Sequence, residues 1–234
     1  MELSAPVFRL KHRARQLARE EKLALHTALD RIAADEGFNN WGHLSAALPK
    51  ASAASEVLGD LDEGDLVLLG ARPGHGKTRL AIEMALSSAL AGRPAWFFTL
   101  DYIHAQVVER LVELGAPLAE INGMLEIDTS DEISAGYIVD RLAGQSEAFV
   151  AIDYLQLLDQ KRSNPDLEDQ VQLLRAFAQS NGATIVVISQ IHRSFEGRSG
   201  LPSLADVRLP NPLDLRLFTK TCFLHDGEVR VQTL

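Results

Sequence analysis

Leu66-Val67-Leu68-Leu69-Gly70-Ala71-Arg72-Pro73-Gly74-His75-Gly76-Lys77-Thr78 runs from an apolar stretch through a glycine-bearing turn into a helical pattern over Leu80 to Leu90. This order of strand, turn and helix decides the fold class. A loop that cradles phosphate must turn successive backbone N–H groups inward, and glycine tolerates the dihedrals this needs. Gly74 and Gly76 supply that freedom. Lys77 brings a point charge to the β and γ phosphates of a nucleotide, and Thr78 offers a hydroxyl to Mg²⁺. The helix that opens there adds the positive end of its dipole. The residues expected to hold ATP are therefore Arg72, Pro73, Gly74, His75, Gly76, Lys77, Thr78 and Arg79. Ala71 stands where the general pattern has glycine.

Downstream the same alternation repeats. Pro94 to Leu100 reads as a second strand, Ala105 to Leu114 as a helix, and Phe149 to Ile152 as a third strand. Asp169 to Ala178 reads as a helix ended at Gly182, and Thr184 to Ser189 as a fourth strand. Unbroken apolar strands alternating with helices imply an α/β fold, a mostly parallel sheet covered on both faces. Leu217 to Leu224, an Asp226-Gly227 turn and Val229 to Val231 read as a closing β-hairpin.

Open α/β sheets gather ligands at the carboxyl ends of their strands. Besides the phosphate loop, three such ends carry polar groups. Asp153 closes Phe149-Val-Ala-Ile and can hold Mg²⁺ through its water shell, or it caps the strand end. Asp101, after Trp96-Phe-Phe-Thr-Leu, is either a base that orients the attacking water or the N-cap of the next helix. Gln190 is either a sensor of the γ-phosphate or a surface amide. With Lys77, these residues form the expected catalytic set.

The first fifty residues differ in texture. Leu10 to Glu36 carries spaced leucines among many charges, with no Pro and no Gly, and predicts one or two amphipathic helices stopped at Gly37. Phe38, Trp41 and Leu44 could fold back on their apolar stripe. Ala46 to Ser55, rich in Ala and Ser with Pro49, reads as a linker, so the expected domains are 1–55 and 56–234. The basic opening, Arg9-Leu-Lys-His-Arg-Ala-Arg, reads as a solvated helix face or a contact for nucleic acid or acidic groups.

Composition bounds the rest. The 234 residues are 46% hydrophobic and 24% charged, with net charge −9, which fits a folded domain and argues against DNA binding through overall charge. The lone Cys222 excludes an intrachain disulfide and reads as a small buried residue. No apolar run approaches the ~20 residues that span a bilayer, and no signal-peptide pattern opens the chain. The cytoplasm is the expected compartment.

Several stretches together resemble the ATPase domain of DnaB-type replicative helicases, within the RecA-like class. They are Ala71-Arg-Pro-Gly-His-Gly-Lys-Thr, Phe98-Thr-Leu-Asp, Ile152-Asp-Tyr-Leu-Gln-Leu-Leu, Ser189-Gln-Ile-His-Arg and Leu204-Ala-Asp-Val-Arg. The resemblance covers roughly residues 58 to 234. It implies a RecA-like P-loop ATPase with Lys77 and Thr78 on nucleotide and magnesium, and Asp153 on the metal. Gln190 would couple the γ-phosphate to a DNA-facing loop, Arg193 to Pro202, with Arg193 and Arg198 as phosphate contacts for single-stranded DNA.

Three departures accompany the likeness. The family carries glutamate where this chain has Asp101, one methylene shorter. The family's Lys-x-Arg finger, which reaches into a neighbouring subunit's site, is not matched by Phe223-Leu-His-Asp-Gly-Glu-Val-Arg, and neither Lys220 nor Arg230 fits it. The N-terminal piece is a short helical module. Two functions are consistent with this pattern: an ATP-hydrolysing helicase relative acting on DNA, or a slow nucleotide-dependent switch that recruits a protein through residues 1–50. Self-association, as a ring or a smaller oligomer, is the expectation carried by the first.

Overall fold

The computed structural model describes residues 3–47, 52–159, 161, 164–209 and 211–234. The chain divides into two compact units, Met1–Asp62 and Glu63–Leu234.

The first unit is helical. α1 (Val7–Glu20) and α2 (Leu25–Asp35) form a packed pair of amphipathic helices, and α3 (Trp41–Ala47) closes over them. Leu10, Ala14, Ala28, Ile32, Ala33 and Leu44 make the core, with Phe38 and Trp41 packed against it. The Asp30 carboxylate accepts a hydrogen bond from the Trp41 N–H at 2.9 Å, which anchors α3 to α2. Of the expected linker Ala46 to Ser55, residues 48–51 with Pro49 lie outside the described residues. Its far end is helical: α4 (Ala53–Leu58) starts at Ser52, whose side chain accepts from the Ser55 N–H. The basic face of α1 is not simply solvated. Arg15 reaches Asp60 at 3.1 Å and Arg19 reaches Asp62 at 3.1 Å, so acids just after α4 draw it onto α1. α4 thus groups with the first unit, and a boundary at 55/56 would cut through it.

The second unit is a seven-stranded sheet in the order β3-β2-β4-β5-β1-β6-β7. The strands are β1 (Leu66–Ala71), β2 (Ala95–Thr99), β3 (Leu125–Asp128), β4 (Phe149–Asp153), β5 (Thr184–Gln190), β6 (Lys220–His225) and β7 (Glu228–Thr233). All neighbours pair in parallel except β6 and β7, which form the antiparallel hairpin. The helices are α5 (Lys77–Leu90), α6 (His104–Glu113), α7 (Leu118–Ile121), α8 (Ala135–Arg141) and α9 (Leu167–Asn181).

Every residue of β1, β2 and β4 is buried, which is what helices on both faces of a parallel sheet require. On one face Leu66, Leu68, Phe98, Val150, Ile152, Ile185 and Val187 pack with Val171, Leu174 and Ala178 of α9. The alternate residues Val67, Leu69, Phe97 and Val186 are equally buried, and α5 packs against β2, β4 and β5. α5 is buried on most of its circumference, from Leu80 to Ala89. Cys222 is buried in β6, as expected. No described helix is long and apolar enough to cross a membrane.

Element ends shift from the sequence reading in informative ways. α5 begins at Lys77 rather than Leu80, and β4 and β5 run on to include Asp153 and Gln190. The last hairpin begins at Lys220, because Leu215–Leu217 is a short 3₁₀ turn.

Gly70 marks a close approach between strands. It pairs with Phe223 of β6, and a Cβ at this position would lie 2.7 Å from the Phe223 ring and 3.2 Å from Ile191 Cδ1. Both neighbours are buried, so Gly70→Ala overpacks the site. A loss of about 1–3 kcal/mol is expected in urea unfolding, and an unchanged midpoint would show that the ring moves aside freely.

Candidate functional site

Parallel pairing brings distant motifs to one edge of the sheet. β1 lies between β5 and β6, with Ala71 opposite Gln190 on one side and Leu224 on the other. β2 and β4 end together, Thr99 opposite Asp153. The phosphate loop, Asp101, Asp153, Gln190 and the β6–β7 turn therefore share the carboxyl end of the sheet.

The loop has the backbone its sequence calls for. Gly74 and Gly76 both have φ of 83°, a left-handed region that costs an L side chain about 1–2 kcal/mol. Gly76 precedes the first turn of α5, so Lys77 and Thr78 leave the loop at the helix N-terminus.

The Thr78 side chain lies beside the Asp153 carboxylate and favours its ionised form. Asp153 is 1% exposed, and its Oδ2 has no hydrogen-bond partner. Burial is the main reason its pKa is pushed up to about 6; Thr78 and the Lys77 ammonium oppose the rise and the Asp101 charge adds to it. A hydroxyl and an orphaned carboxylate oxygen, side by side beneath a phosphate-binding loop, are hard oxygen donors that fit Mg²⁺.

Asp101 lies in the turn after β2, where its N–H donates to the Thr99 hydroxyl at 3.2 Å. It is not the cap of α6. That helix starts at His104, and the Ile103 N–H before it is satisfied by Gln106 Oε1 at 3.1 Å. Partial desolvation raises the Asp101 pKa, and Lys77 draws it back. Lys77 therefore interacts electrostatically with both acids. Tyr154, joined to Asp153 by a cis peptide bond, is also raised, first by burial and then by Asp101 and Asp153.

Gln190 borders an open cleft of about 480 Å³ lined by Pro73, Gln190, Ile191, His192, Arg193, Ser194 and Arg208. Arg208 joins it twice: its N–H donates to the Gln190 carbonyl at 2.8 Å and its Nη1 lies 3.4 Å from Oε1. In the Arg193 to Pro202 loop, Arg193 is exposed at the cleft, whereas Arg198 is held by Asp206 at 2.7 Å and lies over the Phe195 ring. Arg72 of the phosphate loop reaches Glu196 of that loop at 3.1 Å. The two segments are thus joined by an ion pair that sequence reasoning missed. Arg208 was missed as well, although it closes the Leu204-Ala-Asp-Val-Arg stretch.

Arg79 turns to the exposed side of α5 and pairs with Glu83 at 2.9 Å, so its side chain is not gathered with the other loop residues. Lys220 is buried at the opposite end of β6 from the phosphate loop and pairs with Asp65 at 2.7 Å. His75 stacks on His225.

A phosphate loop between β1 and α5, with an acid on β4 and an amide ending β5, defines a RecA-like P-loop domain. The DnaB-like helicase C terminal domain family matches residues 52–138 and 118–211, and the chain belongs to that family. A replicative DNA helicase DnaB from Treponema pallidum is 28% identical over 203 residues, covering 73% of this chain and 46% of that protein. One from Leifsonia xyli is 24% identical over 218 residues, covering 79% of this chain and 47% of that protein. The chain thus spans about half the length of the curated relatives it matches. Among solved structures, a DnaB-like replicative helicase studied with primase superposes with a TM-score of 0.61 at 18% identity, covering 96% of this chain and 69% of that one. A KaiC-like protein from Pyrococcus horikoshii gives 0.55 at 17% identity, covering 74% and 80%. Those two likenesses establish the fold.

Proposed function

We propose that the chain binds Mg·ATP at this edge and hydrolyses it, as a DNA-helicase relative whose turnover responds to single-stranded DNA. The observation that supports the reading is the buried Asp153 carboxylate, set beside Thr78 and Lys77 with its Oδ2 unpartnered. In it, Lys77 and the loop amides would hold the β and γ phosphates, and Thr78 and Asp153 would hold Mg²⁺, which would supply positive charge for phosphoryl transfer. Asp101 orients the attacking water. Gln190 carries the state of the γ-phosphate through Arg208, and Arg72 through Glu196, to the Arg193–Pro202 loop, where DNA binds. Self-association and recruitment of a partner by residues 1–50 belong to the same proposal.

The test is ATP turnover with and without single-stranded DNA, alongside a mass measurement with nucleotide bound. DNA-stimulated turnover in a ring supports the reading. Turnover indifferent to DNA in a monomer or dimer overturns it in favour of a nucleotide switch.

Asp101 allows a sharper measurement. An aspartate carboxylate is one methylene further from the γ-phosphate than glutamate would be, and a well-placed base contributes about 10²–10⁴ in rate. Asp101→Glu is expected to raise kcat about tenfold, a modest share of that range. A variant no faster than the parent would place the water-orienting group elsewhere.

A further inference from the structure

His75 lies in the phosphate loop, yet its ring faces the end of β6 rather than the groups described above. It stacks on His225 with centroids 5.1 Å apart and planes 10° apart. Asp226 begins the hairpin turn beside them, its Oδ1 3.8 Å from His75 Nδ1 and its Oδ2 3.4 Å from His225 Nε2. One ligand atom from each of the three lies within 4.8 Å of the others. The His225 side chain is only 11% exposed, and its Nδ1 is buried with no hydrogen-bond partner. Its other nitrogen, Nε2, faces Asp226 and is the ring atom placed to share an ion with that carboxylate.

We propose that His75, His225 and Asp226 form a Zn²⁺ site that clamps the phosphate loop to the β6–β7 turn. Two imidazoles and one carboxylate are the donors that zinc favours, whereas Mg²⁺ selects oxygen alone. The site is therefore chemically distinct from Thr78 and Asp153. Three protein ligands leave a fourth position for water. Zinc bonds of about 2.0–2.2 Å require the ligand atoms to draw in by about 1.5 Å. Asp226 can supply that movement, since it is exposed at the hairpin tip, while the edge-on Phe195 ring supports His225. Closure would tie the phosphate loop to the β6–β7 turn by metal bonds.

The test is calorimetric titration of the full chain with Zn²⁺, without nucleotide and with Mg²⁺ in excess. One ion per chain is expected, undisplaced by Mg²⁺, with the ring nitrogens of His75 and His225 shifting in NMR spectra. His75→Gln and Asp226→Asn should each weaken binding by about 10-fold or more. Both lie in turns, so the fold should survive; zinc should raise the unfolding temperature of the parent and not of the variants. Equal affinity in parent and variants, or binding only at millimolar zinc, overturns the proposal. Because nucleotide is absent, either result is independent of Mg·ATP binding.

Discussion

Lys77→Ala is expected to weaken Mg·ATP binding between about 10- and 100-fold and to remove turnover. A charge-assisted contact to an ionised group contributes about 1.5–3 kcal/mol, and every 1.4 kcal/mol is a factor of ten in affinity. Lys77 is half-buried at the first turn of α5, where its ammonium already acts on Asp101 and Asp153. Its loss removes the compensating charge for the phosphates and leaves two acids facing them. The fold should survive, because the side chain contributes nothing to the buried core. Equilibrium titration with a fluorescent ATP analogue, beside a urea unfolding curve, measures both quantities. Unchanged affinity in a folded variant would contradict a nucleotide site here.

Asp153→Asn is expected to do two opposite things: abolish Mg²⁺-dependent turnover and stabilise the ligand-free protein. The sign follows from linkage. The folded carboxyl titrates at about 6 and the unfolded one at 3.8, so between these values the folded state binds more protons. Stability of the parent therefore falls as pH rises from about 4 to 6 and levels off above. At pH 7.5 the penalty is about 3 kcal/mol, on the order of 1.4 kcal/mol per pH unit across the window. Asparagine keeps an acceptor for the Thr78 hydroxyl and carries no charge to desolvate. The variant should thus match the parent near pH 4 and exceed it at pH 7.5 by up to about 3 kcal/mol. Mg²⁺ should narrow the gap by stabilising only the parent. Urea unfolding at both pH values, with and without Mg²⁺, tests this; a gap independent of pH would mean that Asp153 is not desolvated.

The parts of this fold that were legible in sequence share a physical cause. Strands buried on both faces must be unbroken apolar runs, and β1, β2, β4 and β5 are. Their polar ends stand out against such runs, which made Asp101, Asp153 and Gln190 visible. β3 was not legible, because an edge strand of four residues, Leu-Glu-Ile-Asp, is only partly buried and has little apolar pattern to show. α8 spans only seven residues and lacks the repeated turns that make a period readable. The Arg72–Glu196, Arg208–Gln190 and His75–His225 contacts join segments far apart in the chain, and nothing local in either segment announces its partner. Arg79 adjoins the loop in sequence, and helical geometry turns its side chain to Glu83.

The hairpin that ends the sheet also guards it. An outer strand offers unpaired N–H and C=O groups to any other extended chain, and this risk grows with length and apolar character. β7 is six residues long but alternates half-buried with exposed positions, and Glu228, Arg230 and Gln232 lie along it among the apolar ones. At the other border, β3 is too short to template a long ladder. Charge on one margin and brevity on the other discourage edge-to-edge aggregation, leaving the carboxyl rim free for its ligands.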